Sequence, residues 1–247
     1  MDASTICFKL DLILQLVDTT TGNTVDEKDV RFYKNGNQIR PIPRGSGNFV
    51  FINTGRENFV LTLKVFGYEE CRMLVEYEKL DEMMPLKQVF LIPSENYSKG
   101  EKLLSLTGTL SGLEEIEAVD LAHSYFCISE FDERKRLMKL FLSQGRLNME
   151  SVHYGLISGD RKRFEHFEVL KENPPDEVKL KQPLQEPFVV NAPISRVIFG
   201  KVSEDGKYLL RVRDNATILS YLVRYCVNGE WRFQTVDFHN CKENELE

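Results

Sequence analysis

Apolar and polar residues alternate along the start of the chain with the period of a β-strand. Within the segment from Ile6 to Val17, the apolar residues of one parity are Phe8, Leu10, Leu12, Leu14 and Leu16. Lys9, Asp11 and Gln15 fall on the other parity, with Ile13 and Val17 as the apolar exceptions. Because successive side chains of a strand point to opposite faces, this pattern predicts a half-buried strand.

Further short strands follow at close spacing over the first ninety or so residues. They are predicted at Val30–Lys34, Gln38–Pro43, Phe49–Ile52, Phe59–Val65, Cys71–Tyr77 and Val89–Ile92. Asn35-Gly36 is a strong signal for a two-residue hairpin turn. Pro41 and Pro43 lack a backbone N–H group, which favours an edge position for the strand that holds them. Residues 1–93 are therefore predicted to form a seven-stranded β-sandwich.

Three stretches of this sandwich resemble the carboxypeptidase regulatory-like, or transthyretin-like, domain family. Asp18 to Val25 resembles the D-x-x-T-G-x-x-V turn that ends a strand in that family. Gly47 to Phe51 resembles its G-x-F-x-F strand, and Val60 to Tyr68 resembles the following strand, which ends in Gly-Tyr. The resemblance covers residues 6–77. It implies a non-catalytic module that helps domains to pack or to bind partners, and it supplies no catalytic residue.

A polar segment that contains Pro93 and Gly100 predicts a domain boundary, with residues 94–101 as the linker. Residues 102–241 are predicted to form a second, antiparallel β-rich domain that starts with a strand at Leu103–Leu110. The segment Ser111–Ala122 permits two interpretations. Ser111 with Glu114 resembles a helix capping box, whereas the alternation through Glu115–Val119 is typical of a strand.

The middle of the second domain favours hairpins. Ser124–Leu142 is predicted to form a hairpin that turns at residues 132–135, although a helix over Asp132–Gly145 is the alternative. Tyr154–Leu170 is predicted to form another hairpin. Residues 171–187 contain four prolines and predict an irregular segment with a sub-boundary.

The last part of the chain has the clearest strand pattern. Its predicted strands are Val197–Val202, Tyr208–Arg213, Ile218–Val227 and Trp231–Phe238. Turn signals separate them, so they are predicted to form a four-stranded antiparallel meander. Residues 242–247 form an acidic tail, which is expected to fray. The fold class is thus predicted to be mainly β, with at most one or two short helices.

Composition and charge narrow the classes of function. The formal net charge is −6, which argues against bulk affinity for nucleic acid. The start of the chain has no basic segment followed by an apolar core, so no secretory signal is predicted, and no apolar run is long enough to span a membrane. The five cysteines are widely spaced and odd in number, so they are predicted to be reduced thiols in a cytoplasmic protein.

Four arginines of the predicted meander form a candidate interface with Trp231. Arg211 and Arg213 share one face of a predicted strand, and Arg224 and Arg232 lie in the next two strands. If all four face the same way, they line one side of a sheet and would bind an acidic partner surface. The alternative is a solvated face balanced by neighbouring carboxylates.

No catalytic, cofactor or metal motif is present in the sequence. The histidines, including His153 and His166, have no ligand spacing, and no nucleotide-binding glycine pattern occurs. The sequence therefore predicts no cofactor and no metal. An enzyme of the middle region is a third hypothesis, in which activity would depend on His153, His166 or Asp160.

Together these patterns predict a non-enzymatic structural or adaptor protein. It would act by protein–protein contacts with the subunits of a larger assembly, and a phage-tail-like or contractile injection particle is one such case by analogy. The alternative is a glycan- or surface-binding β-sandwich protein, in which Trp231 and neighbouring tyrosines would contact sugar rings.

Overall fold

The chain divides into two compact β-rich units, Met1–Gly100 and Glu101–Glu247. The computed structural model describes residues 9–25, 30–80, 85–97, 102–122, 126–142, 153–173, 176–185, 190–214, 220–239 and 246. Within these residues no helix reaches seven residues, and a short 3-10 turn occurs at Tyr77–Lys79. The prediction of a mainly β fold with at most one or two short helices is confirmed.

The first unit is a sandwich of two four-stranded sheets. Its strands are β1 (Leu10–Asp18), β2 (Arg31–Lys34), β3 (Asn37–Ile39), β4 (Ile42–Pro43), β5 (Asn48–Ile52), β6 (Phe59–Lys64), β7 (Cys71–Val75) and β8 (Leu86–Leu91). One sheet has the order β4-β5-β1-β8, in which β1 and β8 are parallel, and the other has the order β3-β2-β6-β7. The faces that meet between the two sheets supply the buried core.

The alternation of apolar residues in β1 arises because every second side chain points into this core. Leu12, Leu14 and Leu16 are buried and pack with the aromatic residues of β2 and β5. The opposite face is less exposed than the alternation predicts. Asp11 is also buried there, and its carboxylate accepts a hydrogen bond from the backbone N–H of Thr54. Residues 1–8, which include the predicted start of this strand, lie outside the described residues.

The described part of the first unit has eight strands, not the predicted seven. The difference lies in the segment Gln38–Pro43, which the sequence assigned to one edge strand. Its first half, in β3, pairs with β2 of one sheet, and its second half, in β4, pairs with β5 of the other. Pro41 lies between β3 and β4, outside both strands. Its missing N–H group therefore removes no hydrogen bond from either sheet.

Gly47 permits a close approach of two chain segments in this unit. It has a φ of 69°, and a Cβ atom at this position would lie 2.7 Å from the carbonyl oxygen of Leu16. The backbone of Leu16 instead donates its N–H to the carbonyl of Gly47. A glycine is thus needed where β5 begins beside the end of β1.

The second unit contains twelve strands within its described residues. They are β9 (Leu103–Thr109), β10 (Leu113–Asp120), β11 (Phe126–Asp132), β12 (Leu137–Leu142), β13 (His153–Ile157), β14 (Phe164–Asn173), β15 (Glu177–Leu180), β16 (Pro193–Phe199), β17 (Lys201–Val202), β18 (Lys207–Arg213), β19 (Tyr221–Val227) and β20 (Glu230–Val236). The segment with two interpretations, Ser111–Ala122, is a strand. The predicted hairpins β11–β12 and β13–β14 are both present.

These strands form a nine-stranded sheet and a three-stranded sheet. The larger sheet has the order β11-β12-β15-β14-β13-β16-β10-β19-β20, and β11 also pairs with β16. This additional pairing closes β11, β12, β15, β14, β13 and β16 into a ring of six strands. Strands β10, β19 and β20 extend from the ring as an open flap, and the smaller sheet has the order β17-β18-β9.

Two predictions for this unit were wrong. The segment 171–187 is not wholly irregular, because β14 continues to Asn173 and β15 lies within the ring. The final strands do not form a meander: β18 pairs with β17 and β9, whereas β19 pairs with β10 and β20. Hairpin signals report only local neighbours, so the insertion of the distant strand β10 beside β19 was not visible in them.

Separate apolar clusters hold the second unit together. One cluster, with Ile128, Met138 and Leu180, fills the ring, and another, with Leu210, Val212 and Val223, packs the three-stranded sheet against the flap. Leu246 is buried in the latter cluster, which corrects the prediction of a frayed tail at that residue. The other residues of the predicted tail, 242–245 and 247, lie outside the described residues. No helix in the described ranges is long and apolar enough to cross a membrane.

Candidate functional site

The four arginines of the candidate interface do not line one side of a sheet. Arg211 and Arg213 lie on β18 in the three-stranded sheet, whereas Arg224 and Arg232 lie on β19 and β20 in the nine-stranded sheet. Arg211 is only 8% exposed, and its Nε donates to the Ser105 hydroxyl over 3.4 Å. The two pairs are separated because the apolar face of β18 packs on the flap, so its arginine face points away from it.

Arg224 and Arg232 also face opposite ways. Arg224 is directly opposite Phe233 in the β19–β20 ladder, while Arg232 is opposite Tyr225. Since residues directly opposite in an antiparallel pair share a face, Arg232 lies on the face of Tyr225 and Arg224 on that of Phe233. The register of the two strands decides this, and strand prediction alone did not provide it.

The structure instead brings Arg224 together with Trp231. The guanidinium carbon of Arg224 lies 3.7 Å from the centroid of the Trp231 ring and 5.8 Å from that of Phe164. Trp231 remains 39% exposed. A guanidinium over an indole face is a favourable cation–π arrangement, which restricts the orientation of both side chains.

Beneath this pair lies a buried carboxylate. Glu117 on β10 is 3% exposed, and its Oε1 lies 3.4 Å from the Nε of Arg224. Its Oε2 lies 3.0 Å from the Nδ1 of His166 on β14. The contact between Oε1 and Nε is an ion pair without hydrogen-bond geometry. Charged partners of this kind offset the cost of burying a carboxylate, because burial of an isolated charge is strongly unfavourable.

A second histidine continues this line of polar contacts. The Nδ1 of His153 lies 2.9 Å from the Nε2 of His166, so one nitrogen donates and the other accepts. Burial lowers the pKa of His153 to about 4, and the neighbouring His166 acts in the same direction. The residues His153, His166, Glu117, Arg224 and Trp231 are called the Glu117 network below.

The curvature of the large sheet places these residues together. Strands β14 and β20 are separated by four strands in the sheet order, yet the rings of Phe164 and Phe233 lie 6.1 Å apart. The sheet therefore folds back so that the outer wall of the ring meets the flap. Gly155 permits this approach, because a Cβ atom there would lie 2.7 Å from the Val119 side chain and 2.8 Å from that of Phe164.

The other residues proposed from the sequence lie apart from this network. Asp160 is in the turn between β13 and β14, at the opposite end of the hairpin from His153, and it accepts a hydrogen bond from the Ser158 hydroxyl over 2.6 Å. Glu117 was not identified from the sequence. The available signal was a charged residue inside the apolar run Ile116–Val119 of a strand that is covered on both faces.

The network can hold protons and charge, and it can position Trp231. Among the residues that the structure describes, no group of three His, Cys, Asp or Glu side chains converges to hold a metal ion. The site thus consists of one carboxylate, Glu117, that contacts both Arg224 and His166, and of a second histidine, His153, that contacts His166.

The first unit has its own buried carboxylate, Asp18 at the end of β1. Its Oδ1 accepts hydrogen bonds from the backbone N–H and hydroxyl groups of Thr20 and from the N–H of Thr21. Its Oδ2 accepts from the hydroxyls of Tyr68 and Tyr97. Burial alone would raise the pKa of Asp18, but the hydrogen bonds from Tyr97, Thr20 and Tyr68 outweigh it and lower the pKa below its usual value of 3.8.

Comparisons with known proteins do not define a family for the chain. No protein-family model matches the sequence, and no curated protein matches it. Among solved structures, the chain aligns with a chimeric titin Z1Z2-Z1Z2 tandem functionalized with an exogenous GRGDS peptide from fibronectin. The alignment has 6% identity and a TM-score of 0.17, and it covers 94% of this chain and 97% of that chain. This degree of similarity carries no information on fold or function.

Proposed function

We propose that this chain is a non-enzymatic structural or adaptor protein that acts by protein–protein contact within a larger assembly. The observation that carries the proposal is the arrangement of Trp231, which is partly exposed on β20 and is supported from below by Arg224 and the buried Glu117. An aromatic side chain that is held in place before binding loses less conformational entropy when a partner covers it.

The position of Trp231 on a sheet edge supports the same proposal. Among the described strands, β20 is the last in the order of the nine-stranded sheet, where it pairs with β19, and the side chains of Glu230, Trp231 and Thr235 are exposed. Exposed edge strands are natural sites for the addition of another strand, and Trp and Arg are enriched among the residues that dominate binding energy. We therefore place the contact surface along β20, with Trp231 as its anchor.

The structure changes the expected chemistry of the partner. An acidic partner was expected because four arginines were predicted to share a face. Arg224, however, is paired with Glu117, and Arg211 is buried against Ser105. The contact is accordingly proposed to depend more on the aromatic anchor than on a cationic surface.

Affinity capture at native expression level tests the proposal. The full chain, its Trp231→Ala variant and a Phe141→Ala control would be compared by quantitative mass spectrometry. Phe141 is 56% exposed on β12, so the control removes an exposed aromatic residue elsewhere. We expect partners recovered by the wild type and the control to be lost with Trp231→Ala. Equal recovery by all three proteins, or a monodisperse monomer without partners, would contradict the proposal.

The identity of the captured proteins also tests the analogy with phage-tail-like particles. Recovery of sheath, tube or baseplate subunits would support that assembly, and recovery of unrelated proteins would oppose it. Glycan binding is the second candidate, and Arg224 disfavours it because its guanidinium occupies one face of the indole. A glycan array that gives a signal only when Trp231 is intact would make glycan binding the favoured function.

The resemblance of the first unit to transthyretin-like domains is likewise a proposal. It is supported by the sandwich of two four-stranded sheets, by the turn at Asp18 and by the close approach at Gly47. A cytoplasmic location is also proposed, and the free thiols of Cys127 and Cys226 support it. Fractionation of the native cells tests the location, and recovery from the external medium would contradict it.

A further inference from the structure

We propose that the histidine pair of the Glu117 network makes the presentation of Trp231 dependent on pH. Loss of the contact between His153 and His166 would alter the hold of Glu117 on Arg224, and so the support beneath Trp231. The effect on partner binding rests on the proposed function, whereas the effect on the Trp231 side chain does not.

An unbroken series of contacts connects the histidines to the surface. His153 contacts His166 over 2.9 Å, and His166 contacts Glu117 over 3.0 Å. Glu117 lies 3.4 Å from Arg224, whose guanidinium carbon lies 3.7 Å from the centre of the Trp231 ring. The histidines belong to the wall of the ring and Glu117 belongs to the flap, so the series also bridges these two parts of the unit.

Several charged groups face the histidine pair. Glu117 approaches from β10 and Glu168 from β14, and Lys181 follows β15. Glu117 and Glu168 favour the protonated form of His153, whereas His166 and Lys181 oppose it. The ring of Phe199 on β16 packs against both imidazoles, with centroids 5.3 and 5.7 Å away, and covers the pair on that side.

The contact between the imidazoles requires one proton, and no more than one, on its two facing nitrogens. One nitrogen must carry a proton and the other must offer its lone pair. If both rings become imidazolium ions, two N–H donors face each other and two positive charges lie side by side. The contact is then lost, and the additional positive charge competes with Arg224 for the carboxylate of Glu117.

The direction of the effect follows from the setting of His153. Burial and the adjacent His166 hold its pKa near 4, below the usual value of 6.5. A state in which the pair has separated binds a proton more readily than the closed state does. Acidification from pH 6.5 towards 4 therefore shifts the population from the closed network to the separated one.

The chain contains a single tryptophan, which reports on this change without a partner. The fluorescence of Trp231 would be titrated from neutral pH to pH 4 in the full chain, in His153→Gln and in His239→Gln. His239 is a matched control, because it is a partly exposed histidine of the same unit that lies near Asp214 rather than Glu117. We expect a titration step between pH 6.5 and 4 in the wild type and in the control, and its loss in His153→Gln.

A fluorescence signal that stays constant across this range, or an identical step in His153→Gln, would overturn the inference. NMR of the histidine rings in the wild type provides a second measurement, which does not depend on the folding of the variant. It should show that the Trp231 indole resonance shifts with the same midpoint as the imidazole resonances of His153, and separate midpoints would overturn the coupling. If the step is found but Trp231→Ala retains its partners, the proposed function fails while the pH response of Trp231 stands.

Discussion

The two units each bury a carboxylate, and they neutralise it in different ways. Asp18 in the first unit accepts hydrogen bonds from hydroxyl and backbone N–H groups of Thr20, Thr21, Tyr68 and Tyr97. Glu117 in the second unit contacts Arg224 and His166, which are a cation and a titratable base. The first arrangement has fixed donors near neutral pH and joins distant parts of a sandwich. The second contains a group that changes charge, and it ends at an exposed aromatic ring.

Removal of the Glu117 carboxylate should have the largest effect on stability. We expect Glu117→Ala to lower the unfolding free energy of the second unit by about 3–5 kcal/mol, because Arg224 would stay buried without its anion. Urea unfolding followed by Trp231 fluorescence measures this. Glu115→Ala, at an exposed position of the same strand, should change it by less than about 0.5 kcal/mol. Equal effects of the two variants would show that Glu117 is not a buried charge.

Loss of Asp18 should be somewhat less costly and confined to the first unit. We expect Asp18→Ala to destabilise that unit by about 2–4 kcal/mol, because it removes the acceptor of the buried Tyr68 hydroxyl, the partly buried Tyr97 hydroxyl and two N–H groups. Peptide-resolved hydrogen exchange of β1 and β8 measures the loss of protection. Glu57→Ala, at an exposed site of the same unit, is the control. Unchanged protection in β1 would contradict the structural role of Asp18.

The pH dependence of stability should separate the two carboxylate sites. The pKa of His153 is lowered from 6.5 to about 4 in the folded state, so the unfolded chain binds the proton first as the pH falls. Stability of the second unit is then full above pH 6.5 and decreases between 6.5 and 4, by about 2–3 kcal/mol. His153→Gln should flatten this slope.

For Asp18 the pH range over which stability is lost lies lower. Its pKa is below the usual 3.8 in the folded state, so its contribution is full above pH 3.8 and is lost as the pH falls through the folded pKa. Urea unfolding of the second unit at a series of pH values, with hydrogen exchange for the first, distinguishes the two windows. A common midpoint for both units would contradict the assignment.

The smallest expected effect concerns the close approach of the ring wall and the flap. Gly155→Ala should destabilise the second unit by about 1–3 kcal/mol, because its Cβ atom would overlap the Val119 and Phe164 side chains. A Cβ atom at Gly159, two residues beyond β13, would meet nothing within 4 Å. Gly159→Ala is thus the matched control in thermal unfolding, and a cost at Gly159 equal to that at Gly155 would contradict the packing.

The strands were predictable from the sequence to the extent that they depend on local pattern. Alternation in Ile6–Val17, the signal Asn35-Gly36 and the turn signal between the last two predicted strands correspond to strands and hairpins that the structure contains. The closure of the ring by β11 and β16 joins residues 126–127 to residues 193–194, which no local pattern reports. The register of paired strands could not be predicted from local patterns either, and the register decides which arginines share a face.

The same limit applies to the candidate site. Arg224 and Trp231 were noted from the sequence in one hypothesis and His153 and His166 in another, because the two pairs come from hairpins, β19–β20 and β13–β14, that are distant along the chain. Glu117, which connects them, was overlooked because an alternating strand is expected to place a glutamate in solvent. Only the folding back of the large sheet buries that side of β10.

The central claim is that the buried Glu117 holds Arg224 beneath Trp231 and thereby presents the contact surface. The most direct measurement is the affinity of a partner recovered by the wild type for Glu117→Gln and for the exposed control Glu115→Gln, with both variants shown to be folded. Glu117 is too deeply buried to contact a partner itself. We predict weaker binding for Glu117→Gln and unchanged binding for Glu115→Gln. Wild-type affinity in Glu117→Gln, together with lost binding in Trp231→Ala, would contradict the claim.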